Sequence, residues 1–136
     1  MKTRLNPYIG FRDNAREALE FYKEVFGGKL TLNTFGDLGA THDPSDVDKI
    51  MHGMLETESG LVLMGSDTPA DMNFAAGANI SISLSGDDEA ELSGYYKKLS
   101  DGGTVTMPLT KASWGDTFGM VTDRFGIGWL VNITAS

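Results

Sequence analysis

The feature that most constrains this chain is that much of it is written twice. Residues Asn6 to Gly28, NPYIGFRDNAREALEFYKEVFGG, read as a short strand, a helix and a glycine stop. Ala15, Ala18, Leu19, Tyr22, Val25 and Phe26 recur at helical spacing and form one apolar face. Asp13 or Asn14 offers an N-cap, with Glu17 three residues after Asn14 as in a capping box. Gly27-Gly28 ends the helix, because glycine takes left-handed geometry cheaply. Phe21-Tyr22-Lys23 returns as Tyr95-Tyr96-Lys97, and Asp13 as Asp87, both at an offset of 74. Gly27-Gly28 returns as Gly102-Gly103 at an offset of 75.

The segments that follow each helix also agree. Lys29 to Phe35 reads as a strand, Gly36 to Asp48 as a polar loop, and Lys49 to Glu56 with Leu61 to Ser66 as a hairpin around Thr57-Glu58-Ser59-Gly60. In the second half Ile80, Ile82 and Leu84 alternate with serines, as in a strand with one buried face. Leu92, Tyr95, Tyr96 and Leu99 supply the second helix's apolar side. Thr104 to Met107 reads as a short strand and Pro108 to Ser113 as a loop. Asp116 to Thr122 and Ile127 to Ile133 form a hairpin around Asp123-Arg124-Phe125-Gly126.

Each half is therefore one βαβββ module, about 1–68 and 78–136, joined by a turn-rich linker at 69–77. The expected fold class is α+β. One module cannot cover both faces of its own sheet. Two modules are expected to form a curved, mostly antiparallel eight-stranded sheet with helices on the convex face and a concave cleft within, a usual place for a small ligand.

Composition narrows the partners. The 136 residues carry a net charge of −8, and the basic side chains are scattered, which argues against nucleic acid and anionic lipid surfaces. Cysteine is absent, which excludes a thiolate nucleophile and a Cys-ligated metal. No apolar run approaches membrane-spanning length and the N-terminus lacks a secretory pattern, so a cytoplasmic location is the expectation. There is no phosphate-binding glycine loop and no hydrolase nucleophile elbow.

The order of Pro7-Tyr8, the helix ending Phe26-Gly27-Gly28, Met51-His52, Leu63-Met64 with Ser66-Asp67, Trp114-Gly115, Phe118-Gly119, and Asp123 to Gly126 with Trp129 resembles the vicinal oxygen chelate superfamily. That superfamily spans glyoxalases, bleomycin-resistance proteins and dioxygenases, and the chain resembles most its PhnB-like branch. The resemblance implies paired βαβββ modules and a homodimer. It leaves the activity open, because this fold hosts many chemistries.

Metal-dependent members hold a divalent ion with His, Glu or Gln on the first and last strands of each module. Counting back from the helices, and forward from the last turn, places those positions at Pro7, Met64, Ser81 and Leu130. None is a good ligand for a hard or borderline ion, so no metal or other cofactor is expected. His52 is a weak catalytic candidate, since imidazole moves protons near neutral pH. His42 sits in an acidic loop without calcium-motif spacing. The candidate ligand contacts are His52, Met54, Met64, Trp114 and Trp129: thioethers accommodate irregular apolar ligands and indoles stack.

The residues thus predict a small-molecule binder with a metal-free apolar cleft. The alternative is a divalent-metal-dependent lyase, isomerase or dioxygenase with an altered ligand set that includes His52. A metal-free enzyme using His52 or a carboxylate as base is a third reading, and whether the chain is an enzyme stays open.

Overall fold

In the computed structural model, residues 4–39, 43–70, 74, 77 and 80–135 are described. The chain forms two compact units, Met1–Ala75 and Ala76–Ser136. The fold is α+β: the described residues form two α-helices and eight strands in two four-stranded mixed sheets, one per unit.

In the first unit the elements are β1 (Tyr8–Phe11), α1 (Ala15–Phe26), β2 (Lys29–Thr34), β3 (Ile50–Glu56) and β4 (Val62–Asp67), with a 3₁₀ turn at Pro44–Asp46. The sheet order is β1-β4-β3-β2, with β1 parallel to β4 and the other neighbours antiparallel. The second unit repeats this with β5 (Ser81–Gly86), α2 (Glu89–Ser100), β6 (Thr104–Lys111), β7 (Thr117–Thr122) and β8 (Gly128–Ile133), in the order β5-β8-β7-β6. Both helices have 12 residues, and their bounds differ by the offset of 74 expected from the sequence. The closing hairpins differ by 66. Thr57 N donates to Leu61 O and Gly60 N to Thr57 O, as Asp123 N does to Ile127 O and Gly126 N to Asp123 O.

Each helix covers one face of its own sheet. Ala15, Ala18, Leu19, Phe21, Tyr22 and Val25 of α1 are buried, as are Phe11, Ile50, Leu55 and Leu63 of the strands. Leu92, Tyr96 and Leu99 of α2 face a core of Val121, Trp129, Val131 and Ile133. At about 1.5–3 kcal/mol per buried large apolar side chain, these layers dominate the stability of each unit. Gly28 and Gly103 sit at the same place in the repeat. A Cβ on Gly28 would strike the Glu56 carbonyl, and one on Gly103 the Thr122 carbonyl, so the chain leaving each helix lies directly against the hairpin strand.

Three local expectations need correction. Asn14 is the N-cap residue of α1 but makes no side-chain cap bond, and Asp13 takes a left-handed φ of 71°. The cap comes from the end of β4: Asp67 Oδ1 accepts from Ala15 N at 2.9 Å, and its Oδ2 from Ile50 N at 2.9 Å. In α2 the local rule holds, with Asp88 accepting from Glu91 N at 3.0 Å. Second, Tyr8 to Phe11 is fairly apolar at both alternating positions, which predicts a strand covered on two faces, but β1 has only one covered face, since Tyr8 is 51% exposed. Third, β6 continues through Pro108 to Lys111 instead of stopping at Met107. Proline is tolerated there because β6 is an edge strand whose register shifts between Val105 and Met107 and again between Met107 and Thr110. Tyr96 secures that irregular stretch, its hydroxyl donating to Met107 O at 2.9 Å. Burial pushes the Tyr96 phenol pKa upward.

Candidate functional site

Strand alternation gives every sheet a helix-facing side and an open side. In the first unit Gly53, Leu55, Leu63, Gly65 and Asp67 lie on the buried side, and the residues between them are more exposed. The open side therefore carries Tyr8, Met64, Met54 and Thr31 as one cross-strand row, each in register with the next. His52, in register with Asn33, belongs to the neighbouring row together with Ser66. His52 is half-buried, and its ring lies 6.1 Å from that of Tyr8, tilted by 32°. The sequence-predicted candidates His52, Met54 and Met64 are thus brought together on one sheet face.

A bulge aims this end of β3. Asn33 pairs with His52 but Thr34 pairs with Ile50, so Met51 is the extra residue. Ile50 is fully buried while Met51 is 37% exposed, where plain alternation would have put Met51 on the helix side. The strand start is anchored by Lys49, which pairs with Asp13 at 2.7 Å and Asp46 at 3.0 Å. Those carboxylates hold the Lys49 ammonium pKa above its ordinary value. His42 lies outside the described residues.

The second unit has the corresponding rows. Ser83, Leu130, Met120 and Met107 are in register with one another, and beside them run Ser85, Asn132, Phe118 and Thr110. Trp114 stands beside this second row, 64% exposed, with its ring edge-on to Phe118 at 5.9 Å. Its loop is closed by hydrogen bonds from Ala112 N to Asp116 O (2.7 Å) and from Gly115 N to Ala112 O (3.0 Å). Asp116 accepts from Asn132 Nδ2 at 3.0 Å and from Ala135 N at 3.0 Å. Those two donors, with the Trp114 side chain contributing further, hold the Asp116 carboxyl below the ordinary carboxylate range.

Trp129 does not join either open face. It is 2% exposed, on the helix side of β8, and its Nε1 donates to Asp123 Oδ2 at 2.8 Å. Its indole is therefore core, and the expectation that it stacks on a ligand fails on burial. Separately, an open depression of about 510 Å³ lies between Arg4, Leu5 and Asn6 and the end of the β3–β4 hairpin. None of the predicted site residues lines it.

The sequence matches the family model of the Glyoxalase/Bleomycin resistance protein/Dioxygenase superfamily over residues 4–131. The chain belongs to that superfamily. The structure of protein PA1353 from Pseudomonas aeruginosa is similar, at 39% identity and a TM-score of 0.86, covering 99% of this chain and all of that one. The PhnB protein of Bacillus cereus shares the fold at 20% identity and a TM-score of 0.77, with 97% and 100% coverage. Protein YjdN of Escherichia coli is 24% identical over 140 residues, spanning 95% of this chain and 94% of its own length.

Membership in a superfamily with metal-dependent members makes the donor set a question of fit. Register replaces the count made from the helices. The first-strand residue beside Met64 is Tyr8, not Pro7, and the one beside Leu130 is Ser83, not Ser81. The count slips by one residue in the first unit and by two in the second, and the extra slip arises because β5 and α2 are joined by one residue fewer than β1 and α1. The resulting groups are a phenol, a thioether, a hydroxyl and a hydrocarbon, which do not fit a divalent ion that prefers imidazole and carboxylate. Among the described residues no three His, Asp or Glu side chains are grouped to hold a metal. No helix among them is long and apolar enough to cross a membrane.

Tyr8, Asn33, Phe118 and Asn132 were not singled out as ligand contacts from the sequence. The hairpin offset of 66 was the available signal, because it equates His52 with Phe118 and Met54 with Met120.

Proposed function

We propose that this protein binds a small organic molecule on the open faces of its sheets, without the divalent ion that many members of its superfamily use. The observation that carries the reading is the chemistry of the rows at the expected ligand positions: Tyr8, Met64 and Met54 in one unit, and Ser83, Leu130 and Met120 in the other. Thioethers and aromatic rings offer dispersion and adaptable shape instead of metal coordination. His52, Met54, Met64 and Trp114 are the contact residues in this reading. His52 supplies a hydrogen bond and is the candidate to move a proton if the bound molecule reacts. A homodimer and a cytoplasmic location belong to the same reading. A sheet's unpaired edges favour a second copy, and the acidic surface of net charge −8 suits a freely dissolved protein.

The test is a thermal-shift screen of small organic molecules with and without chelator. Ligand that binds only the folded state raises the melting temperature by mass action. The expectation is stabilisation that survives chelator and weakens in Met64→Ala and His52→Ala. Stabilisation that appears only with zinc, nickel or manganese, together with stoichiometric metal lost in His52→Ala, would establish the metal-dependent alternative instead.

A further inference from the structure

The rim of the second unit names a ligand class more narrowly than the screen does. We propose that Trp114 and Phe118 form a stacking platform for a flat, uncharged aromatic molecule whose edge donates a hydrogen bond to the side-chain oxygen of Asn132. This rests on the small-molecule reading above and adds the chemistry of the molecule.

Three observations converge. Trp114 keeps most of its indole in water although burying such a ring is worth several kcal/mol, and it is held in that position. The loop hydrogen bonds fix its backbone, and the edge contact with Phe118 fixes its ring. A rigid exposed aromatic of this kind loses little entropy when something stacks on it. Second, the two rows next to the platform, Ser85–Asn132–Phe118–Thr110 and Ser83–Leu130–Met120–Met107, contain no charged side chain. The nearby carboxylate, Asp116, already accepts from Asn132 and Ala135 and lies below the ordinary range of ionisation. Among the described residues the cation nearest these rows is Lys111, which is in register with Thr117 and so alternates to the other strand face from Thr110 and Phe118, and the protein as a whole carries a net charge of −8, which disfavours a ligand anion. Third, the Asn132 amide is polarised in one sense. Its Nδ2 donates to Asp116, which leaves Oδ1 as the acceptor of that amide. A phenol O–H or a lactam N–H meets that requirement, and an ether or ester does not.

The experiment follows the two indole N–H resonances by NMR while adding 2-naphthol, 2-methoxynaphthalene or 2-naphthoate. The three share a ring system and differ in donor and charge. The Trp114 resonance should move with 2-naphthol while that of buried Trp129 stays, and binding should rank 2-naphthol above 2-methoxynaphthalene above 2-naphthoate. Asn132→Ala should weaken 2-naphthol about five- to tenfold, the worth of one neutral hydrogen bond, and remove its advantage over the methyl ether. Trp114→Ala should weaken the two uncharged probes together. An unshifted Trp129 resonance and an unchanged far-UV CD spectrum confirm that each variant is folded. The proposal is overturned if 2-naphthoate binds as well as 2-naphthol, or if Asn132→Ala preserves the preference. It is also overturned if molecules from the screen stabilise the protein while the Trp114 resonance stays still, a result that leaves the small-molecule reading standing. Failure of every screened molecule to stabilise the protein removes both.

Discussion

Replacing Asp123 by asparagine changes one oxygen for a nitrogen and tests why Trp129 is where it is. Asp123 is 3% exposed. Its Oδ1 accepts from Phe125 N at 2.8 Å and Ile127 N at 3.1 Å, closing the β7–β8 turn, and its Oδ2 accepts from the Trp129 indole at 2.8 Å. In Asp123→Asn the retained oxygen serves the turn, and the new NH₂ faces the indole N–H, donor against donor. A buried group left unsatisfied costs about 1–3 kcal/mol, so the two opposed donors make a destabilisation of about 2–6 kcal/mol. Trp129→Phe alone forfeits the same bond and some ring volume, about 2–4 kcal/mol. In the double variant the opposing indole donor is gone, so the two costs should fall short of additive by about 1–2 kcal/mol. Urea unfolding followed by CD at fixed pH measures all four proteins, whose stability of about 5–15 kcal/mol leaves room for these losses. A coupling within about 0.5 kcal/mol of zero would refute the reasoning. So would a Trp129→Phe variant of native stability that had lost affinity for a ligand, because the indole would then be a contact and not core.

Two further outcomes follow from the hydrogen-bond pattern. Asp67→Ala removes the acceptor of two backbone N–H groups, Ala15 and Ile50, and should cost about 2–4 kcal/mol in chemical unfolding. Asn14→Ala, at the residue where a local cap belongs but none is made, should change stability by less than about 0.5 kcal/mol. For Asp116 the folded pKa lies below its unfolded value, first because of the Asn132 amide and then the Ala135 N–H. The stabilisation it provides is therefore complete above the unfolded carboxylate pKa and disappears as pH falls through the lower, folded one. Carboxyl ¹³C titration should give a midpoint below that of an unstructured aspartate. Asn132→Ala should raise that midpoint, and an unmoved midpoint would remove Asn132 as the main cause.

Much of the fold could be read locally because its signals are local. The apolar face of α1, the glycines that end both helices and the serine alternation of β5 each depend on side chains a few positions apart. The repeat multiplies them, because the same aromatic pair and the same glycines return at offsets of 74 and 75. Pro108 misled for the same reason. A proline signals a break to its neighbours in sequence, while its tolerance depends on lying at a sheet edge.

The amino-acid order by itself determined that there are two similar modules and that cysteine chemistry is excluded. Tertiary structure decided which face each candidate occupies. Trp114 and Trp129 looked alike as indoles near strands, yet strand parity and the Asp123 carboxylate bury one, while a closed loop holds the other in solvent. Register, set by pairing between strands more than 50 residues apart, chose Tyr8 over Pro7 beside Met64. The α1 cap likewise came from Asp67, 52 residues away. Such choices are non-local: a strand shifted by one residue keeps its composition and propensity but turns every side chain to the opposite face.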